Sequence, residues 1–309
     1  MSYKIGVDGG GTKTECVLVD PAGNMVACHI GTGCNPSVVG SAAAASILNA
    51  ALSSLRAQAA THATGTQGLP AGEPDLITDT LLCMAGSRGF WQEFAAGLTG
   101  FGRVVTGDDS LPILELATHG HAGLALHSGT GSFVAARAPD GSVHFAGGLG
   151  WRFGDPGSGY DLGRRALAQG LLELQGWAPP SRLGPAVRAY AELGGAANAS
   201  VLASHFYTHA HSSRYIAAFA PTVLRLAGER DEPARRIVLE STGALLDLAI
   251  SVATKLFSAS QLKTVDAGLS GPILNHPLAV EAFAARSPFA LAPITETPIE
   301  GVRRMLQRP

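Results

Sequence analysis

The sequence is poor in charge and in cysteine, and both shortages limit what the protein can do. Only 15% of its 309 residues are charged and the formal net charge is -2, which offers no electrostatic footprint for nucleic acid or an anionic membrane. The four cysteines, Cys16, Cys28, Cys34 and Cys83, form no CxxC pair, so neither a zinc knuckle nor an iron–sulfur site is indicated. We expect reduced, buried thiols.

Long apolar runs are missing too. No segment reaches the ~18 uninterrupted apolar residues of a membrane span, and residues 1–4 lead into a strand pattern without the apolar region of a signal peptide. We therefore expect a cytoplasmic protein with no membrane and no nucleic-acid partner. Apolar residues still make up 46% of the chain, enough for a core, and two domains are expected at this length.

Glycine is abundant, and its first cluster lies near the N-terminus. Residues 5–7 predict a strand, 8–14 a turn, and 15–20, which alternate with period two, a second strand. Three consecutive glycines usually indicate a positive φ or the close approach of a ligand. Backbone N–H groups, a hydroxyl and the Lys13 ammonium suit phosphate oxygens, and the Asp8 carboxylate suits Mg²⁺ held through water.

Two familiar phosphate motifs do not fit this turn. Thr12 stands between Gly11 and Lys13 and breaks the P-loop spacing, while Thr14 occupies the third glycine position of a dinucleotide fingerprint. Both motifs also need a helix next, where a strand is predicted. The pattern predicts a β-hairpin phosphate site, with an ordinary glycine-rich hairpin as the alternative.

The same arrangement returns in the middle of the chain. Residues 124–127 predict a strand, 128–132 (Ser-Gly-Thr-Gly-Ser) a turn and 133–137 a strand, and a tight turn follows at 139–141. The first hairpin is followed by a tight turn at 21–24 in the same way. The simplest account is a duplicated domain, with one phosphate turn from each half on a single nucleotide.

Hydrophobic periodicity predicts the remaining elements. Helices are expected at 37–63, 91–98, 111–118, 160–174, 185–193, 216–227, 232–257 and 298–307, and strands at 25–30, 79–85, 104–106 and 264–268. The long apolar helix at 232–257 is expected to pack on the second sheet. Loops are expected at 64–73 and at 147–159, which contains six glycines. A turn at 269–272 is expected to open another helix and to suit an adenosine.

Polar residues near predicted strand ends are candidate ligand contacts. Asn35 has a carboxamide that can donate to and accept from sugar hydroxyls, with a turn residue before proline as an equal alternative. Asp108 and Asp109 follow a predicted strand, and we expect Asp109 or Ser110 to cap the next helix while Asp108 faces the ligand. Asp155 is the only carboxylate in the glycine-rich loop.

Together these motifs resemble the BadF/BadG/BcrA/BcrD ATPase family. The motifs that carry the resemblance are the turn at 8–14, Gly107-Asp108, the turn at 128–132, Gly147-Gly148 and the run at 154–159. Within the family the chain looks most like N-acetylglucosamine kinases and bacterial glucosamine kinases. The resemblance implies an α/β, actin/hexokinase-like (ASKHA) fold, with two ribonuclease-H-like domains around an inter-domain ATP and sugar cleft. The expected domains are 1–117, joined by the closing helix at 298–309, and 118–297.

The resemblance also implies three sets of site residues. The phosphate set is Gly10, Gly11, Thr12, Lys13, Thr130 and Gly131. The sugar set is Asn35, Asp108, Gly148 and Asp155, and Asp108 would also be the catalytic base. The nucleoside set is Ala218, Ser270 and Gly271. With ATP and Mg²⁺ as cofactors, the implied reaction phosphorylates the 6-hydroxyl of an amino sugar, with N-acetylglucosamine expected.

Two departures from the family pattern lie in the sugar-facing loop. Leu149 stands where the family has Trp, and Pro156 where it has Glu, so glucosamine or another hexose derivative is the alternative substrate. One rival function is the dehydratase-activating ATPase branch, which needs paired cysteine ligands that this chain does not offer. The other is a non-enzymatic binding module responsive to ATP and sugar. The oligomeric state is left open, with a homodimer the commonest state by base rate.

Overall fold

The computed structural model describes residues 2–64, 76–194 and 197–308. The chain divides into two compact units, of which unit 1 comprises Met1–Leu116 and Glu296–Pro309, and unit 2 comprises Ala117–Thr295. Each unit contains a five-stranded sheet with both parallel and antiparallel pairs. The α/β fold class expected from the sequence is confirmed in both units.

Ten strands and twelve α-helices lie within the described residues. The strands are β1 Tyr3–Gly9, β2 Lys13–Val19, β3 Met25–Thr32, β4 Ile77–Met84, β5 Arg103–Asp108, β6 Gly123–Ser128, β7 Ser132–Arg137, β8 Val143–Gly147, β9 Asp266–Ser270 and β10 Ala292–Pro293. The helices are α1 Pro36–Val39, α2 Ser41–Thr64, α3 Arg88–Ala96, α4 Leu111–Thr118, α5 Gly159–Gln175, α6 Leu183–Ala191, α7 Ala199–Thr208, α8 Ser212–Ala217, α9 Ala220–Gly228, α10 Glu232–Leu256, α11 Pro277–Arg286 and α12 Pro298–Leu306.

The sheet of unit 1 runs in the order β3-β2-β1-β4-β5. β1, β2 and β3 form an antiparallel meander, while β4 and β5 are parallel to β1. Successive side chains of a strand point to opposite faces, so Ile5 and Val7 of β1 join the main core with α2. Gly6 faces α12, where a Cβ would lie 2.7 Å from Val302. The closing helix can pack closely on the sheet because this residue has no side chain.

The sheet of unit 2 runs in the order β10-β9-β6-β7-β8. Leu124 and Leu126 of β6 share a core with Leu245 and Leu246 of α10, which confirms that the long apolar helix packs on the second sheet. Among the described residues, α10 alone is long and apolar enough to cross a membrane by length and composition. Half of its most apolar stretch is buried, and the core helix of a soluble protein meets the same test.

The two sheets have the same plan. β6, β7 and β8 form an antiparallel meander like β1, β2 and β3, and the next strand pairs in parallel with the first strand of each meander. The duplication predicted from the two hairpins is therefore visible in both sheets. The third strand of the second meander, β8, is not predicted from the sequence, and neither are β10 and α7.

Two predicted helices are each interrupted. The helix expected at 37–63 is two helices, α1 and α2, because Gly40 between them has a φ of 85°. The helix expected at 216–227 overlaps only the last two residues of α8, Ile216 and Ala217, and otherwise corresponds to α9, which starts just before Pro221. Proline is tolerated in the first turn of a helix but not in its interior, so the second helix starts afresh there.

The turn expected at 269–272 was wrong in position. Leu269 and Ser270 belong to β9, and α11 begins only at Pro277. The loop expected at 64–73 lies outside the described residues except for Thr64, which ends α2. The loop expected at 147–159 is confirmed, since β8 ends at its first residue and α5 begins at its last.

Candidate functional site

The first glycine turn connects β1 to β2 in unit 1. Gly10 N donates to Lys13 O over 2.9 Å, and Gly10 O accepts from Cys34 N over 3.2 Å. A Cβ on Gly33 would overlap the carbonyl group of Gly11 and lie 2.6 Å from Thr12 N. The turn therefore rests directly on the backbone that follows β3, which leaves no room for a side chain at position 33.

Close packing, and not a positive φ, requires the first of the three consecutive glycines, Gly9. None of them has a positive φ. A Cβ on Gly9 would run into the Met84 side chain, with Sδ 2.6 Å away, whereas a Cβ on Gly11 would meet nothing within 4 Å. The turn is thus crowded on one side and open on the other, where Thr12 is exposed.

Lys13 is paired within its own strand. Its Nζ lies 2.5 Å from Glu15 Oε2, and half of the Lys13 side chain is exposed. Exposed ion pairs contribute about 0–1 kcal/mol, so little free energy opposes a move of the ammonium group to a stronger anion such as phosphate. The expected phosphate contact of Lys13 stays a prediction.

Carboxylates gather at one edge of the first sheet. β1, β4 and β5 are parallel, Asp8 pairs in register with Cys83, and Met84 pairs with Asp108. Burial first, and then the charge of Glu15, raise the pKa of Asp8 to about 7, against the attraction of Lys13. Burial, followed by the charges of Asp108 and Asp8, likewise raises the pKa of Asp109 to about 7. A cation would relieve this repulsion.

Asp108 forms local hydrogen bonds just before α4. Its Oδ1 accepts from Ser110 N over 3.0 Å and also from Ser110 Oγ. The expected capping of α4 by Asp109 or Ser110 stays a prediction. Asp108 is nevertheless exposed, while Asp109 is half-buried. Either carboxylate could accept a proton from a hydroxyl brought to this edge.

Asn35 has a local structural role. It is the N-cap of α1, where its Oδ1 accepts from Ser37 N over 2.9 Å, and the same oxygen would lie 2.5 Å from a Cβ on Gly86. The predicted contact with a sugar would therefore fall to the amide nitrogen of Asn35, for which the described part of the chain shows no partner.

The second glycine turn connects β6 to β7 in unit 2. Gly129 N donates to Gly131 O over 2.9 Å, and Thr130 at the tip is exposed. Ser128 and Ser132, at the two ends, are buried and donate their hydroxyls to backbone carbonyls of the glycine-rich loop. These two hydroxyls face the protein, so only the tip of the turn is open to a ligand.

Asp155 lies beside this turn. Its Oδ1 accepts from Gly150 N over 3.2 Å, and its Oδ2 would lie 3.2 Å from a Cβ on Gly131. Gly148 N donates to Ser132 O over 3.0 Å. Asp155 is buried, and burial raises its pKa while the Gly150 N–H lowers it. The structure thus brings together four predicted site residues of unit 2, namely Thr130, Gly131, Gly148 and Asp155.

The predicted nucleoside residues of unit 2 adjoin the same turn. Gly271, with a φ of 94°, touches the Ser128 carbonyl so closely that a Cβ would overlap it, and Ser270 Oγ lies 3.1 Å from His127 Nδ1. Ala218 comes directly after α8. The carbonyl oxygen of Ala217, the last residue of α8, would lie 3.3 Å from a Cβ on Gly159. Gly159 N in turn donates to Gly129 O over 2.8 Å.

Sequence reasoning missed the supports of both turns. Gly33 gave no signal beyond being one more glycine in a loop. Ser241, which bonds to Gly157 over 3.0 Å, could have been noticed as a polar residue in the apolar pattern of α10. Its partner cannot be read from the sequence, because 84 residues separate the two.

Magnesium fits the donors of unit 1. In the described part of the chain, no group of three or more His, Cys, Asp and Glu side chains could hold a metal ion by itself. Mg²⁺ usually keeps several waters and takes one or two carboxylates plus substrate phosphates. Asp8 offers one half-buried carboxylate, whose pKa is raised to about 7, and a nearby cation would favour its ionised form.

Comparisons with known proteins agree with this picture. The sequence model of the BadF/BadG/BcrA/BcrD ATPase family matches residues 5–287. A solved structure described as a "putative N-acetylglucosamine kinase" from Chromobacterium violaceum is 25% identical, with a TM-score of 0.76 over 99% of both chains. No curated protein matches.

Two further solved structures support the fold. One, described as a "putative N-acetylglucosamine kinase" from Porphyromonas gingivalis, has a TM-score of 0.70 at 18% identity over 98% of both chains. A ROK family glucokinase from Streptomyces griseus has a TM-score of 0.55 at 12% identity over 98% of this chain and 97% of its own. The actin/hexokinase-like fold is confirmed, and the chain belongs to the BadF/BadG/BcrA/BcrD ATPase family.

Proposed function

We propose that the protein is an ATP-dependent sugar kinase that phosphorylates the 6-hydroxyl of N-acetylglucosamine. The observation that carries the proposal is the repeated turn with a carboxylate beside it, Asp8 and Asp108 in unit 1 and Asp155 in unit 2. Family membership supports ATP as the nucleotide, and the 25% identical neighbour supports the amino sugar. Glucosamine or another hexose derivative is the second candidate substrate.

The proposed phosphate contacts come from the open faces of the two turns. Phosphoryl transfer requires positioned, neutralised oxygens and little covalent chemistry from the protein. In unit 1 the contacts would be Gly10, Gly11, Thr12 and Lys13, and in unit 2 they would be Thr130 and Gly131. Mg²⁺, bound near Asp8 through water, would neutralise phosphate charge.

Asp108 is the proposed general base. It would orient the sugar hydroxyl and accept its proton, a contribution of ~10²- to 10⁴-fold. Its exposure and its place at the carboxyl edge of the parallel strands support this role. Asp109 is the alternative, because it adjoins the same edge and its raised pKa of about 7 suits proton transfer near neutral pH.

The remaining proposals concern the sugar and nucleoside contacts, the domains and the place where the protein works. We propose that Asn35, Gly148 and Asp155 bind sugar hydroxyls, and that Ala218, Ser270 and Gly271 flank the nucleoside. We also propose that the two units are the two ribonuclease-H-like domains and that the protein works in the cytoplasm, with a small sugar as its partner and neither nucleic acid nor membrane. The oligomeric state stays open, with a homodimer as the candidate given by base rate.

A panel of amino sugars tests the function. The full chain is assayed with ATP and Mg²⁺ against N-acetylglucosamine, glucosamine, N-acetylmannosamine and glucose, with ADP release as the readout and the 6-phosphate product identified by NMR. We expect the highest kcat/KM for N-acetylglucosamine. A preference for glucosamine or glucose would replace the substrate. Nucleotide binding without turnover of any sugar would favour the non-enzymatic binding module.

A further inference from the structure

A buried hydroxyl of α10 holds the glycine-rich loop of unit 2. Gly157 N donates to Ser241 Oγ over 3.0 Å, and Ser241 Oγ donates to Asp161 Oδ2 over 2.6 Å. Ser241 is fully buried and Asp161 is 6% exposed. Because water has little access to these groups, a bond lost here is not readily replaced.

We call the two hydrogen bonds from Gly157 N to Ser241 Oγ and from Ser241 Oγ to Asp161 Oδ2 the relay. Asp161 sets the direction in which its protons point. Arg164 Nη2 donates to Asp161 Oδ1 and Arg165 Nε to Oδ2, both over 2.9 Å. The two guanidinium groups offset the cost of burying the carboxylate. An ionised Asp161 accepts hydrogen bonds only, so the hydroxyl proton of Ser241 points to it. The lone pairs of Ser241 Oγ are left to accept from the Gly157 N–H.

The second glycine turn holds the same peptide run from the other side. Ser132 Oγ donates to Pro156 O over 2.7 Å, and Ser128 Oγ donates to Gly157 O. A Cβ on Gly157 would lie 3.1 Å from Leu245 of α10, so the run is also pressed against the helix. Asp155 comes directly before this run, and any shift of the run moves its carboxylate relative to the turn.

We propose that Ser241 and Asp161 are positioning residues that set the distance from the Asp155 carboxylate to the tip of the turn at Thr130. The inference rests on the proposed function, in which Asp155 binds the sugar and the turn binds phosphate. Without the Ser241 hydroxyl, the buried Gly157 N–H has no partner, and the loop moves away from α10. Sugar binding and phosphoryl transfer then suffer together, while nucleotide affinity changes little.

The test compares Ser241→Ala with Thr242→Val in the full chain. Thr242 is equally buried on the same helix, but its hydroxyl donates to Val238 O over 2.7 Å and not to the loop. We expect kcat/KM for the sugar to fall ~10-fold in Ser241→Ala, from the loss of a partner for a buried N–H. Thr242→Val should stay near wild type. Equal losses in the two variants would overturn the proposal.

Hydrogen–deuterium exchange tests the same role without a sugar. We expect peptides covering 155–159 to exchange faster in Ser241→Ala than in Thr242→Val or wild type. If the wild-type protein phosphorylates no sugar, the proposed function fails while this comparison still stands. Unchanged exchange in Ser241→Ala contradicts the positioning role. If that variant does not fold, Asp161→Asn carries the comparison, because it weakens the relay and leaves the hydroxyl in place.

Discussion

In unit 1 the glycine turn rests on bare backbone, whereas in unit 2 the turn is tied by hydroxyl groups. Gly33 lies against Gly11 and Thr12 with no space for a methyl group. Ser128 and Ser132 instead donate to the carbonyls of Gly157 and Pro156. The two sheets share one strand plan, and each turn touches a glycine that has no room for a Cβ, Gly33 in unit 1 and Gly271 in unit 2. The unit 2 turn adds the hydrogen bonds of its two serine hydroxyls.

The two turns also differ in the charge beside them. In unit 1, burial above all raises the pKa values of Asp8 and Asp109 to about 7, with the charge of Glu15 adding to the shift of Asp8 and the charges of Asp108 and Asp8 to that of Asp109. In unit 2, Asp155 is the carboxylate beside the turn, and a backbone N–H already binds one of its oxygens. The first arrangement suits a cation and a base, and the second suits a neutral ligand with hydroxyls.

The largest expected effect is on kcat, and it distinguishes Asp108, a carboxylate of unit 1, from Asp140, a carboxylate of unit 2. We expect Asp108→Asn to bind ATP and sugar but to lower kcat at least ~100-fold, because the amide cannot accept the hydroxyl proton. The matched control is Asp140→Asn, since Asp140 Oδ1 accepts from Ser142 N and Oγ as Asp108 does from Ser110. Near-normal kcat in Asp108→Asn would move the base to Asp109.

The second effect tests the steric support of the unit 1 turn. Gly33→Ala places a methyl group against the backbone of Gly11 and Thr12, and overpacking costs ~1–3 kcal/mol. We expect the Kd for ATP, measured by calorimetry, to rise on the order of 10-fold. Gly89→Ala is the control, since a Cβ there meets nothing within 4 Å. Equal ATP affinity in the two variants would show that the turn tolerates displacement.

The third effect concerns the carboxylate of unit 2. Asp155→Asn keeps the acceptor for Gly150 N and removes the negative charge. Hydrogen bonds to charged groups contribute ~1.5–3 kcal/mol, so we expect the sugar KM to rise about 10-fold while the KM for ATP stays within about 2-fold. A larger change in the KM for ATP than in the sugar KM would contradict a sugar-binding role.

The last effect is one of stability and not of activity, and it concerns the strand that leads into the unit 2 turn. Burial lowers the pKa of His127 to about 4, below the ordinary value of about 6.5. Between these values the unfolded chain binds a proton that the folded chain does not, so this contribution to stability is lost as pH falls from 6.5 to 4, by at most about 1.4 kcal/mol per pH unit. We expect urea unfolding of His127→Gln to depend less steeply on pH than that of wild type. An unchanged slope, equal to that of the exposed-site control His144→Gln, would contradict this.

Local patterns account for the parts of the fold that were predicted well. Both hairpins combine period-two alternation with a glycine turn, and α4 was predicted with the bounds that the structure has. β8 was missed because its last residue already belongs to the run of glycines that predicts a loop. The break between α8 and α9 was missed because the apolar helix pattern continues across Pro221, and it outweighed the signal that proline is tolerated only in the first turn of a helix.

The candidate site, like the fold, was predicted from the sequence only in part. The residue types at the two turns were visible from composition, spacing and resemblance, and within unit 2 the structure gathers Thr130, Gly131, Gly148 and Asp155. The local roles of Asn35 and Asp108 as acceptors for nearby backbone N–H groups were seen only in part. Whether these residues bind sugar and nucleotide stays a prediction for the experiments above.

By itself, the sequence determined the two hairpins, their glycine turns and the family, because alternation, turn chemistry and motif order are properties of neighbouring residues. Only the tertiary structure decided what holds each turn in place. Gly33 supports one turn through contact with Gly11, and Ser241 supports the other from 84 residues beyond Gly157. These contacts depend on how strands and helices pack, since a buried N–H must find its partner wherever the fold places one.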